Sequence, residues 1–309
     1  MLTSLSLHKL TRERLPTGYG LPRSLLSLAT LSVVGINPPA ILFPPTPADA
    51  SGRRCDGIAA AGLWCIAGDS SNSQAIVRWL SIIVLTVCLI GWRPSWTCLP
   101  HWYVTASLAT ALPMPSGGDY VAQIMTMLLV PLALGDRRRW HWGATRRTPR
   151  WQGAADAALL VVRVQLSVIY LVATAAKLTQ GEWRDGTALP AALTNPVSGI
   201  ASGLTPLVEP LAGSPLGTAT TWLVLGVEVS LAVLVLAPVP YRRLALALGI
   251  ALHGAIAVLL GIPTFGMVMI AALALAATSV PAPPIASRGA TPTPAHAPLS
   301  QENPDALAR

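Results

Sequence analysis

Several stretches of roughly 20 residues carry almost no charge, and they limit the possible folds of this chain more than any other feature. About 20 apolar residues are needed for a helix to cross the roughly 30 Å hydrocarbon core of a bilayer. Only 11% of the 309 residues are charged, against about a quarter in an average soluble domain. The hydrocarbon core contains no water to hydrogen-bond with backbone amides and carbonyls, so spanning segments of this kind form helices, in which these groups bond to each other. The sequence predicts an all-α, polytopic membrane helix bundle.

Eight apolar runs are long enough to be considered as spans. They cover residues 21–43, 76–91, 99–112, 120–135, 157–178, 218–238, 244–262 and 264–280. A ninth apolar segment, 189–212, is interrupted by four prolines. Broken helices are tolerated in membranes only where protein or a cavity satisfies the backbone. We therefore expect about eight transmembrane helices and, at 189–212, a re-entrant or interfacial segment.

The basic residues predict the orientation of these spans. The net charge is +8, and the loop 136–150 alone holds six arginines. Short loops rich in Lys and Arg stay in the cytoplasm, and this pattern favours topology signalling over nucleic-acid binding. We expect residues 1–20 and the disordered tail 281–309 to be cytoplasmic, on either side of a membrane domain at 21–280. A signal peptide cleaved after Ala50 is the alternative for the N-terminus.

Two cysteines lie in the loop between the first two predicted spans, which this topology places outside the cell. Cys55 and Cys65 are ten residues apart, and an oxidising compartment favours a disulfide between them. Two unrelated thiols are the alternative. A disulfide requires Cα atoms about 4.4 to 6.8 Å apart.

Six ionisable residues are functional candidates because charge inside a bilayer is costly. Near the predicted outer ends of spans lie Lys177, Asp119, Glu182 and Asp185, and near the middle of spans six and seven lie Glu228 and His253. Structural interpretations remain open for each. Glu228 and His253 could hydrogen-bond to each other across adjacent helices, and Lys177 could extend its amine to the membrane interface.

Span five carries a polar stripe. Arg163, Tyr170 and Lys177 recur every seven residues and therefore share one face of a helix. A polar face on a membrane helix is expected to point into the bundle.

A second candidate feature stands where span four begins. Gly117 and Gly118 allow a tight backbone conformation there, and Asp119 is expected to cap the helix. Capping alone is one interpretation. The other is that Asp119 also holds Lys177 or a peptide amine. The sequence shows no metal-ligand cluster.

Blocks of sequence in a fixed order resemble a known family. They read GWRPSWTCLPHWYVTASL, SGGDYVAQIM followed by VPLALGDRRRWHW, IYLVATAAKLTQGEWRDGTAL and LGIALHGAIAVLLGIPTFGMVMIA. They are similar to the horizontally transferred transmembrane (HTTM) domain family, which includes the vitamin K-dependent gamma-carboxylases. The opening YGLPRSLLSLATL and the cysteine-bearing loop look like its sporulation-delaying protein B branch, bacterial membrane proteins encoded in peptide-toxin systems. The resemblance covers residues 19–280.

The resemblance implies roles for two residues. Lys177 matches the carboxylase lysine that deprotonates vitamin K hydroquinone, a lipophilic quinone cofactor, and His253 matches a histidine near that active site. A base of this kind needs a neutral amine, which desolvation favours. The stretch ATALPMP departs from the family pattern, so carboxylation of glutamates is not carried over.

For the branch, the resemblance implies maturation of a secreted peptide toxin together with a small partner protein of the same system. Two hypotheses follow, and whether the chain is an enzyme stays open between them. In one, Lys177 and His253 are catalytic and line an outward-facing pocket whose binding residues are Gly117, Gly118, Asp119, Tyr170 and Glu228. In the other, the chain binds, escorts or exports the peptide without chemistry.

Overall fold

The computed structural model describes residues 18–45, 51–143, 149–195, 200, 206, 209–211 and 213–278. These residues are helical apart from turns, loops and isolated bridge residues such as the pair Trp92 and Trp140, which confirms the all-α prediction. The helices of fifteen residues or more are α1 (Gly20–Ile36), α2 (Ser71–Ile90), α3 (Pro94–Ala111), α4 (Gly117–Leu134), α5 (Pro149–Leu178), α6 (Pro215–Leu234), α7 (Val239–Leu259) and α8 (Pro263–Ala277). Short helices cover Pro39–Leu42, Leu63–Ile66, Gly181–Arg184 and Ala188–Leu193, with 3-10 turns at Gly57–Ala61 and Glu209–Leu211.

Five helices in the described part of the chain are long and apolar enough to cross a membrane. They are α2, α4, Gly153–Leu178 within α5, α6 and α7. The helices α1 and α8 are apolar but shorter, and α3 carries an internal proline, Pro100, and buried polar residues such as His101 and Thr105. The chain is a multi-pass membrane protein, and the expectation of eight spans is not confirmed.

The first predicted span, 21–43, is wrong at its C-terminal end. Helix α1 stops at Ile36, and Pro39–Leu42 forms a separate helix. A residue that precedes a proline is disfavoured in the helical region, and Pro38 and Pro39 together stop α1 at this point. Helix α2 in turn begins earlier than predicted, because the Ser70 side chain caps it by accepting a hydrogen bond from the Ser73 amide.

Helix α8 lies at the centre of the bundle and packs against α1, α4, α5 and α7. Its residues are apolar on every side, and most of them are buried, as expected of a helix enclosed by others. Gly266 permits the close approach of α7, since a Cβ at this position would lie 2.7 Å from the carbonyl oxygen of His253. This contact places the start of α8 against the histidine.

The loops gather at two opposite ends of the bundle. At the first, which we call the disulfide end, Cys55 and Cys65 form the predicted disulfide with their Cα atoms 5.6 Å apart. The amide of Arg54 there donates to the Ala111 carbonyl over 3.0 Å, which joins this loop to the end of α3. At the second, the arginine end, the amide of Arg93 donates to the Arg139 carbonyl over 2.8 Å.

Several predictions fall wholly or partly on residues outside the described part of the chain. Residues 1–17 and 279–309, and Ala50 with its cleavage alternative, are outside it. In the segment 189–212, the helix Ala188–Leu193 is described and packs on α6, whereas residues 196–199 and 201–205 are outside. The re-entrant segment and the domain limits stay predictions.

Candidate functional site

The last turn of α5 holds an ion pair with α6. The Lys177 ammonium donates to Oε1 of Glu228 over 2.7 Å, and the Thr174 hydroxyl donates to Oε2 over 3.1 Å. The Glu228 side chain is 8% exposed and that of Lys177 is 24% exposed. A buried carboxylate is tolerated when it is paired and its oxygens are hydrogen-bonded, and Glu228 meets both conditions.

A second polar pair lies two turns further into the same helix. Tyr170 Oη and His253 Nε2 share a hydrogen bond of 2.8 Å between α5 and α7. Both side chains are buried. Nδ1 of His253 has no hydrogen-bond partner among the described residues, and the imidazole ring packs against Phe265 at 5.6 Å. His253 therefore keeps one hydrogen-bonding position unused.

Both pairs depend on the spacing along α5. Tyr170, Thr174 and Lys177 are four and three residues apart, so their side chains project from one face. Glu228 and His253 do not bond to each other, so the cross-helix pair considered for them is wrong. Each binds a residue of α5 instead.

Arg163, the remaining residue of the predicted polar stripe, binds the end of α8. Arg163 donates to the Ala276 carbonyl over 3.1 Å and to the Thr278 carbonyl over 2.9 Å. The last carbonyls of a helix lack partners within that helix, and Arg163 supplies them for α8. The stripe faces the bundle, as expected, but each member contacts a different helix.

Asp119 caps α4 as predicted, but from the third residue of the helix, because Ser116 is the N-cap. The Ser116 amide donates to Oδ2 of Asp119 over 2.7 Å, and the Asp119 amide donates to the Ser116 hydroxyl over 3.3 Å. A Cβ on Gly118 would lie 3.2 Å from Cα of Phe265, whereas Gly117 has more space. The ion-pair partner of Lys177 in the described chain is Glu228 rather than Asp119.

Phe265 connects this capping site to the histidine. Its ring packs on His253, its backbone lies against Gly118, and it lines a cavity of about 10 Å³ next to Asp119. A space of this size holds about one water molecule. The residues selected from the sequence thus form one connected path from the start of α4, through α8 and α7, to α5 and α6.

Two proteins of Bacillus subtilis strain 168 are similar to the chain over most of its length. YitO, an uncharacterised protein, is 34% identical over 266 residues, which are 85% of this chain and 85% of YitO. Sporulation-delaying protein SdpB is 34% identical over 258 residues, which are 82% of this chain and 79% of SdpB.

The chain belongs to the SdpB family. No family model matches it, and no solved structure matches it. The wider HTTM and carboxylase resemblance therefore stays a prediction, while the SdpB relationship is confirmed.

This member of the SdpB family also contains a buried polar cluster that sequence reasoning missed. At the arginine end, Arg138 donates to Asp136 through Nε over 2.9 Å and through Nη2 over 2.5 Å. The Tyr19 hydroxyl donates to the same carboxylate over 2.5 Å. Burial alone would raise the pKa of Asp136, but hydrogen bonds from Arg138 and Tyr19 outweigh it and hold that pKa below its usual value.

His141 extends this cluster to α1 and α2. Nη1 of Arg23 lies 3.3 Å from Nδ1 of His141, and the Ser24 hydroxyl lies 3.3 Å from Nε2. Arginine has no acceptor, so Nδ1 accepts and the proton is on Nε2. Burial, followed by the charges of Arg23 and Arg138, lowers the pKa of His141 to about 3. The imidazole is therefore neutral at physiological pH.

One signal in the sequence could have revealed this cluster. Arg23 is the one charged residue in an apolar run. A charged residue within a membrane segment is normally paired with a group on another helix of the bundle. The structure supplies neutral partners, since Arg23 donates to the Thr97 hydroxyl over 2.6 Å and to the Cys88 carbonyl over 3.3 Å. Neither partner is identifiable from the spacing of charges.

Proposed function

We propose that this chain is a membrane protein needed for the maturation or production of a secreted antimicrobial peptide toxin. Membership in the SdpB family supports the toxin system. The observation that carries a chemical role is the Lys177–Glu228 ion pair, which lies on the same face of α5 as the Tyr170–His253 hydrogen bond. In this proposal Lys177 and His253 act on the peptide from a pocket that faces outward.

The two pairs together offer groups that can hold and transfer protons. An ammonium that donates to a carboxylate has no free lone pair, so Lys177 acts as a base only after the ion pair with Glu228 opens. A peptide amine entering the site would compete for the same carboxylate. His253 retains an unused Nδ1, and Tyr170 fixes the orientation of the ring through Nε2.

The unused Nδ1 of His253 is a suitable partner for a quinone oxygen. The small cavity next to Phe265, however, has a volume of only about 10 Å³, which is too little for a lipophilic quinone. We therefore assign no step to a quinone.

A non-catalytic role is the second candidate, and one observation favours it. The Lys177 ammonium and the Glu228 carboxylate neutralise each other, and the Tyr170 and His253 side chains are buried. Such an arrangement also suits a component that binds, escorts or exports the toxin peptide. Either role involves the peptide precursor, the bilayer and a small partner protein of the same system.

Deleting the gene from its bacterial host should abolish the killing activity of the culture fluid against sensitive cells. Reintroducing the wild-type gene should restore it. Mass spectrometry of the culture fluid would then show whether the peptide is missing or is secreted in an inactive form. Unchanged killing after deletion would contradict the proposed function.

The proposal includes eight spans with both termini in the cytoplasm, and the arginine-rich loop tests this. A Thr145→Cys variant should resist a membrane-impermeant maleimide in intact cells and react after the cells are opened, because six arginines hold this loop inside. Ile58→Cys is the control at the disulfide end, where the Ile58 side chain is 91% exposed. Ready labelling at position 145 in intact cells would overturn the topology.

A further inference from the structure

A groove at the disulfide end is distinct from the site on α5. Its volume is about 440 Å³, within the roughly 300 to 1,000 Å³ typical of ligand sites. It lies between the short helix Pro39–Leu42, the start of α2 and the segment that precedes Cys55. Its walls include Pro38, Pro39, Phe43, Arg53, Asp69 and Gln74.

Two buried polar atoms of the groove residues have no hydrogen-bond partner in the described part of the chain. They are Nε of Arg53, a donor, and Oε1 of Gln74, an acceptor. Both residues are about 94% buried, since their exposed fractions are 6%. Buried polar groups are nearly always satisfied, so this donor and acceptor indicate that something else binds here.

The rest of each side chain is firmly held. The Arg53 guanidinium forms an ion pair with Asp69 through Nη2. The Gln74 amide nitrogen donates to the Trp64 carbonyl over 3.1 Å and to the Gly68 carbonyl over 2.5 Å. These contacts orient both side chains and leave Nε of Arg53 and Oε1 of Gln74 without a partner in the described part of the chain.

The disulfide supports the same region. Arg53 lies two residues before Cys55, so the Cys55–Cys65 bond restrains the segment that carries it. Phe43 packs on Trp64 with ring centroids 5.0 Å apart. A groove built before its ligand arrives loses less conformational entropy on binding.

We propose that this groove binds an extended peptide segment through its backbone. A peptide unit presents one carbonyl acceptor for Arg53 and one amide donor for Gln74, and prolines with an aromatic ring suit the side chains beside it. An anion would leave the Gln74 acceptor without a donor, and a hydrocarbon chain would satisfy neither atom. The Asp69 carboxylate, 80% exposed at the rim, favours a basic residue in the peptide. Only the identification of this peptide with the toxin precursor rests on the proposed function.

The test uses the purified full-length protein in nanodiscs with the photoreactive amino acid p-benzoylphenylalanine at Ser71, which is exposed and lines the groove. The probe is a biotinylated octapeptide of alternating valine and serine preceded by lysine. The control probe has the same side chains with N-methylated backbone amides. Because recognition is through the backbone, we expect labelling by the first probe to exceed labelling by the second about tenfold or more.

A matched pair of substitutions locates the binding. Ala75→Trp fills the groove, whereas Asn72→Trp adds the same bulk at an exposed neighbour that does not line it. Labelling should be lost only in the Ala75 variant. Equal labelling by both probes, or labelling that survives in the Ala75→Trp variant, would overturn the proposal. Gene deletion tests the proposed function separately, so the two can fail independently.

Discussion

Replacing Lys177 with alanine is expected to lower the killing titre of the culture fluid about a hundredfold or more, the range of a lost general acid or base. The substitution removes the ammonium that donates to Oε1 of Glu228 over 2.7 Å and leaves a carboxylate that is 8% exposed without its counter-ion. The amount of protein in the membrane is measured in parallel, so that a loss of folding is not counted as a loss of chemistry.

The substitution Lys177→Arg separates proton transfer from charge. Arginine can keep an ion pair with Glu228, but a guanidinium does not lose its proton in a protein. If Lys177 transfers a proton, the arginine variant should be as inactive as the alanine variant. Recovery of killing in Lys177→Arg would instead show that the charge alone matters.

A nearby control and the fate of the peptide complete this test. Arg184→Ala removes an exposed cation close to Lys177 in sequence and should leave the killing titre unchanged. Inactive peptide in the culture fluid of the Lys177 variant indicates chemistry, and peptide retained in the cell indicates escort or export. A wild-type titre in Lys177→Ala would contradict both roles for this residue.

The sequence predicted which face of α5 is polar but not what each residue would bind. The seven-residue spacing of Tyr170 and Lys177 follows from helix geometry alone. Their partners, His253 and Glu228, are candidates in the sequence because they are costly intramembrane groups, and a hydrogen bond between these two is one of the interpretations that the sequence leaves open. Which helices are neighbours depends on packing between segments far apart in the chain, and periodicity carries no such information.

Local features were predicted well where their cause is also local. Asp119 caps α4 because Ser116 and Asp119 are three residues apart, and Cys55 and Cys65 are close because one short loop carries both. The end of α1 was missed because hydropathy continues past Ile36, whereas Pro38 and Pro39 stop the helix.

The arginine end shows how a non-local contact escapes detection. The blocks YGLPRSLLSLATL and GDRRRWHW both contributed to the family resemblance, and the structure joins them through Tyr19 with Asp136 and Arg23 with His141. In the sequence, all six arginines of 136–150 indicate a cytoplasmic loop. In the structure Arg137 and Arg139 are exposed, but Arg138 is buried between them.

This buried ion pair leads to the largest stability effect that we expect. Asp136 is fully buried, and Arg138 is 9% exposed. Removing one partner of a buried pair leaves the other charge uncompensated and typically costs about 3 to 5 kcal/mol. Asp136→Ala should therefore lower the free energy of unfolding by about this amount, as measured by reversible unfolding in SDS–detergent mixtures.

Two controls distinguish the loss of this pair from a general effect of substitution. Asp56→Ala removes an exposed carboxylate from the disulfide end and should change the unfolding free energy by less than about 0.5 kcal/mol. Adding Arg138→Leu to Asp136→Ala removes both charges, so the double variant should lose less stability than the sum of the two single variants. Additive losses, or an Asp136→Ala protein within about 1 kcal/mol of wild type, would show that the pair does not hold this end of the bundle together. A large and non-additive loss would mean that the Asp136–Arg138 pair stabilises this end of the bundle, where the Tyr19 hydroxyl also binds Asp136. The loop between α4 and α5 would then be part of the packed bundle as well as a signal for its orientation.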